Sequence, residues 1–94
     1  MTKADVIKMI ADRTGKEQEV VGTILESLLK SVKQNLSEGR PVYIRGFASF
    51  IIKKRAAKTG RNISKNTALE IPAHYIPYFR PSKEFKAMMK TKLV

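Results

Sequence analysis

The run from Lys53 to Asn66, KKRAAKTGRNISKN, carries six basic residues and no acid. Ammonium and guanidinium groups at this density do one kind of chemistry: they bind the oxyanions of a polyanion, with little regard to its sequence. Arg61 and Asn62 lie near the middle of the run. Arginine favours the negative potential of a minor groove, and asparagine can meet its acceptor-rich edges. Gly60 beside them permits close approach or a positive φ. The competing account of Arg61 and Asn62 is an ordinary polar turn, which the surrounding charge disfavours. Ile63 follows them and is apolar and β-branched. It either wedges between base pairs, partly unstacking a step at a cost of about a few kcal/mol, or packs within the arm or merely occupies its tip, with weaker kinking. If about 6–10 phosphates are neutralised, affinity falls by roughly 10³–10⁵ between about 50 and 200 mM salt.

The charge is segregated along the chain. Residues 1–38 hold six Lys/Arg and six Asp/Glu, whereas residues 39–94 hold thirteen Lys/Arg and two acids, which is the entire net +11. Solubility alone needs no such asymmetry. A one-sided basic field attracts nucleic acid or an anionic surface. The chain has no cysteine and a single histidine, His74, with no carboxylate cluster near it in sequence. A metal site or a catalytic dyad therefore lacks parts, and no enzyme activity, cofactor, metal or small-molecule substrate is expected. No apolar run is long enough for a transmembrane helix. MTKADVIKMI does not read as a secretory signal, so a cytoplasmic location is expected.

These residues must be carried by some frame. Thr2 followed by Asp5 resembles a capping box, with Val6, Ile7 and Ile10 at helical spacing and Gly15 as the stop. A second helix is expected over about residues 16–36, with Val20, Val21, Ile24, Leu25, Leu28, Leu29, Val32 and Leu36 forming a wide apolar stripe. A chain of 94 residues has little other apolar mass to cover that stripe, so a second subunit is expected to supply the missing core. Strands follow at Val42 to Ile44 and Phe47 to Ile52, joined by a tight Arg45-Gly46 turn. Further strands are expected at Ala68 to Ile71 and Tyr75 to Arg80. Pro72 is tolerable on an edge or a projecting ribbon, and Pro77 argues for an edge position or a bulge. Ser82 caps a last helix, with Phe85, Met88 and Met89 on its apolar side.

In this order and spacing the fragments resemble the HU/IHF family of bacterial DNA-bending proteins over essentially the whole length. Gly46-Phe47-Ala48-Ser49-Phe50 resembles the family's GFGxF signature, with Ala48 for the second glycine. Arg55 to Asn62, RAAKTGRN, resembles the arm signature. Ile63 stands where the family typically has a proline that wedges between base pairs, and Ser64-Lys65-Asn66 replaces the usual turn. Ile71-Pro72-Ala73 and Phe79-Arg80-Pro81 resemble the segment before the last helix. The resemblance implies an α+β fold built as an intertwined dimer: a helical base at about residues 1–38, a three-stranded sheet at about 41–52 and 75–80, a β-ribbon arm at about 53–74, and a C-terminal helix at about 82–92. It implies a dimer core of Val21, Ile24, Leu25, Leu28, Leu29, Val32, Phe47, Phe50 and Phe79. It also implies DNA contacts from Lys3, Arg45, Gly46, Lys53, Arg55, Lys58, Gly60, Arg61, Asn62, Ile63, Lys65, Arg80 and Lys83.

The expected function is therefore an architectural, nucleoid-associated protein. It would bind double-stranded DNA through the minor groove with low sequence specificity and bend it. The dimer is expected to be a homodimer, with pairing to a paralogue as the other possibility. A site-preferring, IHF-like bending factor is the nearest alternative. An RNA-binding or anionic-surface-binding protein is more remote: the charge sits on a ribbon, without the apolar helical face a membrane binder needs, and the chain lacks paired aromatics for base stacking.

Overall fold

A computed structural model describes residues 1–62 and 67–93. The chain forms two compact units, Met1–Asn35 and Leu36–Val94. In the first, α1 (Lys3–Thr14) begins at Thr2, whose hydroxyl accepts from the Asp5 amide while the Asp5 carboxylate accepts from the Thr2 amide. This reciprocal box satisfies donors that a helix N-terminus otherwise leaves open. Gly15 closes the helix at φ 73° and donates its N–H to the Ala11 carbonyl, a left-handed cap that glycine adopts without strain. Helix α2 (Gln18–Ser37) carries the apolar stripe. Within this unit only Ala11 and Val21 are buried, whereas Val20, Leu28 and Leu29 are nearly half exposed and Ile24 is 65% exposed.

The second unit contains β1 (Val42–Ile44), β2 (Ala48–Arg55), β3 (Lys58–Asn62), β4 (Thr67–Ile71), β5 (His74–Pro81) and α3 (Lys83–Lys92), besides the end of α2. Strands β1, β2 and β5 form an antiparallel sheet in the order β1-β2-β5, so Pro77 sits on an edge strand of this sheet. The turn between β1 and β2 is closed by the Phe47 N–H donating to the Ile44 carbonyl at 3.0 Å. Gly46 takes φ 80° there, the left-handed value required at the third position of a type II turn. Phe47 belongs to this turn rather than to the strand, and the ladder continues past Ile52 to the pair Arg55–His74.

Side chains alternate across a sheet, and directly opposed residues share a face. The register Phe50–Phe79, Val42–Phe50 and Ile44–Ala48 therefore defines an inner face. Phe85 of α3 packs against it. The Phe47 and Phe85 rings stack at 5.5 Å, Phe79 meets Phe47 edge-on at 5.9 Å, and Phe50 lies 5.6 Å from Phe79. Ala48 is buried beneath, yet Phe47 and Phe79 remain more than two-fifths exposed. Ser82 caps α3 by accepting from the Phe85 N–H, and its hydroxyl donates to the Gly46 carbonyl at 3.0 Å. One side chain thus locks the β1–β2 turn to the last helix.

Beyond Arg55 and His74 the ladder stops on both strands at once. Ala56-Ala57 and Pro72-Ala73 are unpaired, and pairing resumes at Lys58–Ile71. Pro72 has no N–H to contribute. Strands β3 and β4 then form a separate two-stranded ribbon that runs to Asn62–Thr67.

Candidate nucleic-acid interface

The alternation that puts the phenylalanines inside puts a different set outside. Across the outer face the rows are Tyr43–Ser49–Arg80, then Ile51–Tyr78, then Lys53–Ile76, then Arg55–His74. Three of the expected contact residues, Lys53, Arg55 and Arg80, therefore share one face, and all three are exposed. Lys54 falls on the inner side with Tyr75. Each lysine finds a ring: the Lys53 ammonium lies 4.6 Å from the centroid of Tyr78, and that of Lys54 lies 5.9 Å from Tyr75.

The Ser82 junction gathers a second group. Its bonds to Gly46 and Phe47 bring the Arg45-Gly46 turn against the start of α3, where Lys83 is the first helical residue. Arg45 and Lys83 are both exposed, one residue away from either end of that junction. The free N–H groups of a helix start add a weak positive field beside them.

The ribbon carries Lys58 opposite Ile71, Gly60 opposite Leu69, Arg61 opposite Ala68 and Asn62 opposite Thr67. Gly60 thus lies within a strand rather than a turn, so close approach is the use that its position supports. Ile63 and Lys65 lie outside the described residues, and so does the wedge assigned to Ile63. Lys3 stands apart. Its ammonium donates to Glu26 at 2.5 Å, and this hydrogen bond, reinforced by the lysine charge, holds the Glu26 carboxyl below the usual carboxylate range. Both partners are more than half exposed, so the pair contributes little to stability. The α1 N-terminus also has its own carboxylate acceptor in Asp5, which makes it a poorer anion site than its sequence position implies. His74 is an exposed strand residue whose Nδ1 lies 3.0 Å from the Pro72 carbonyl.

Sequence reasoning missed two residues. Tyr43 and Tyr78 both sit exposed on the outer face among the cations, on strands that β2 separates. Their period-two spacing from neighbouring residues was visible, but their common face depends on the β1–β2–β5 register.

Among the described residues no helix is long and apolar enough to cross a membrane. Residues 1–90 match the model of the bacterial DNA-binding protein family. The chain is 34% identical to integration host factor subunit beta of Marinobacter nauticus over 99% of this chain and 96% of that one. It is equally 34% identical to DNA-binding protein HU of Thermus thermophilus, over 96% and 93% of the two chains. The HU chain of an Anabaena HU–DNA cocrystal structure superposes with a TM-score of 0.89 at 29% identity, covering both chains fully. The helical pair, the three-stranded sheet with its ribbon, and the capped last helix are thus those of the HU/IHF family of bacterial DNA-binding proteins, to which this chain belongs.

Proposed function

We propose that this protein is an architectural DNA-binding protein that acts as a homodimer, grips duplex DNA through the minor groove and bends it. The observation that carries this is the alignment of Lys53, Arg55 and Arg80 on one exposed sheet face that leads into the ribbon bearing Lys58 and Arg61. Phosphate contacts from such a face hold a duplex without reading its bases. Arg45 and Lys83 at the Ser82 junction extend the grip to flanking DNA, and Lys3 joins them by exchanging Glu26 for a phosphate. Arg61 and Asn62 probe the groove, with Gly60 allowing the approach. Ile63 wedges at the step where the duplex bends, and Lys65 holds the adjoining phosphates. The dimer is supported by the apolar side chains that each subunit leaves open: Ile24, Leu28 and Leu29 on α2, and Phe47 and Phe79 in the second unit. The more enclosed Val21, Leu25, Val32 and Phe50 back these open positions.

The test pairs duplex binding with bending measured by end-to-end fluorescence transfer. Affinity falls steeply with salt, and Ile63→Ala reduces the bend while leaving most of the affinity and the salt slope intact. An unchanged bend removes Ile63 from the wedge role. Preference for anionic vesicles or duplex RNA over duplex DNA overturns the functional reading itself.

A further inference from the structure

We infer that Tyr78 is a positioning residue for nucleic-acid binding, whose ring holds the Lys53 ammonium over the outer face of the sheet at the root of the ribbon. The inference rests on the duplex-binding reading above. Tyr78 lies opposite Ile51, and Lys53 is two residues further along β2. The two are diagonal neighbours on one face, a separation that long side chains span. The ammonium stands 4.6 Å from the ring centroid, well inside the range of attraction to an aromatic face.

What holds a cation decides whether it can still bind an anion. Lys3 is held by Glu26 and Arg40 by Glu38, so each must give up a carboxylate before it can take a phosphate. A tyrosine ring attracts the ammonium through its quadrupole and carries no charge of its own. Lys53 therefore keeps its full charge. An ammonium has three N–H donors, and a ring beneath it leaves donors free on the side away from the sheet. A lysine otherwise loses much side-chain freedom when it is fixed on a phosphate, and Tyr78 removes part of that loss beforehand. The second pair, Lys54 over Tyr75, is looser at 5.9 Å and faces the phenylalanine side, which makes it an internal control.

The experiment is a double-mutant cycle on the full chain, read by anisotropy of a labelled DNA duplex between 50 and 200 mM KCl, with thermal unfolding recorded for every variant. Lys53→Gln should lower the salt slope by about 0.9 per subunit. Tyr78→Leu should weaken binding roughly two- to five-fold per subunit, and Tyr78→Met, which keeps apolar bulk without a ring, should match it. Tyr78→Phe should retain wild-type affinity. In the Lys53→Gln background Tyr78→Leu should have no further effect, and Tyr75→Leu should leave DNA affinity unchanged. Equal losses from Tyr78→Leu in both backgrounds, or failure of Tyr78→Phe to retain affinity, would overturn the inference while leaving duplex binding in place. Absence of salt-dependent duplex binding by the wild-type chain would overturn the underlying reading, and this inference with it.

Discussion

Truncating Ile24 to alanine tests the proposed dimer at its most open apolar position. Ile24 is 65% exposed in the subunit although it sits in the middle of the α2 stripe. Full burial of such a side chain contributes about 1.5–3 kcal/mol, so covering the remaining two-thirds contributes about 1–2 kcal/mol. A twofold interface contains the residue twice, which doubles the figure to about 2–4 kcal/mol per dimer. Ile24→Ala should therefore raise the dimer dissociation constant by roughly 30- to 800-fold. Because so little of the subunit is buried on its own, dissociation and unfolding should be coupled, and the unfolding midpoint should fall with dilution. Sedimentation velocity over a dilution series, with thermal unfolding at both ends of it, reads the two quantities. A wild-type chain that stays monomeric, with a concentration-independent midpoint, refutes the dimer. A dimer whose dissociation constant ignores Ile24→Ala refutes the assignment of this face to the contact.

Two other substitutions probe local devices. Ser82→Ala removes the α3 cap and the hydroxyl bond to Gly46. It should cost about 1–2 kcal/mol, seen in denaturant unfolding, and an unchanged stability would deny the junction a role. The Asp5 carboxyl is held below its ordinary value of 3.8, first by the Thr2 backbone N–H and then by the Thr2 hydroxyl. A depressed folded value means that its stabilisation is present above about pH 4 and is lost as pH falls through the folded value. Acid unfolding followed by circular dichroism should therefore show a smaller loss between pH 5 and 3 for Asp5→Asn than for the natural chain, and an equal loss would contradict the assignment.

What the sequence disclosed was mostly local. The Thr2–Asp5 box, the Gly15 stop, the Gly46 turn and the Ser82 cap each depend on residues within four positions of one another, and each is where its residue types place it. The strand end at Arg55 was not legible, because Lys54 and Arg55 carry no β preference of their own. They are strand because β5 pairs with them as far as His74, and pairing overrides propensity. The same holds for the functional surface. The basic run was obvious, but the division of Lys53, Arg55 and Arg80 from Lys54 required the register. So did the meeting of Lys53 with Tyr78, 25 positions away, and no pattern joined Lys3 to Glu26, 23 positions apart.

The segregation of charge has a thermodynamic consequence for the free protein. Two chains of net +11 repel when they associate, and a compact state of high net charge is destabilised by its own field. Residues 1–38 carry balanced charge, so an α2 contact adds little to that repulsion. The DNA-binding cations within residues 39–94 must nevertheless stay unneutralised, and their mutual repulsion persists until phosphates arrive. Salt should therefore act in opposite directions on the two equilibria. Between about 50 and 200 mM the screening length shortens from roughly 14 to 7 Å, which relieves repulsion and should raise the unfolding midpoint of the free protein. Over the same range counterion release should lower its affinity for DNA. A midpoint that falls together with the affinity would mean that attractive ion pairs, rather than an unneutralised basic face, dominate the electrostatics of the free chain.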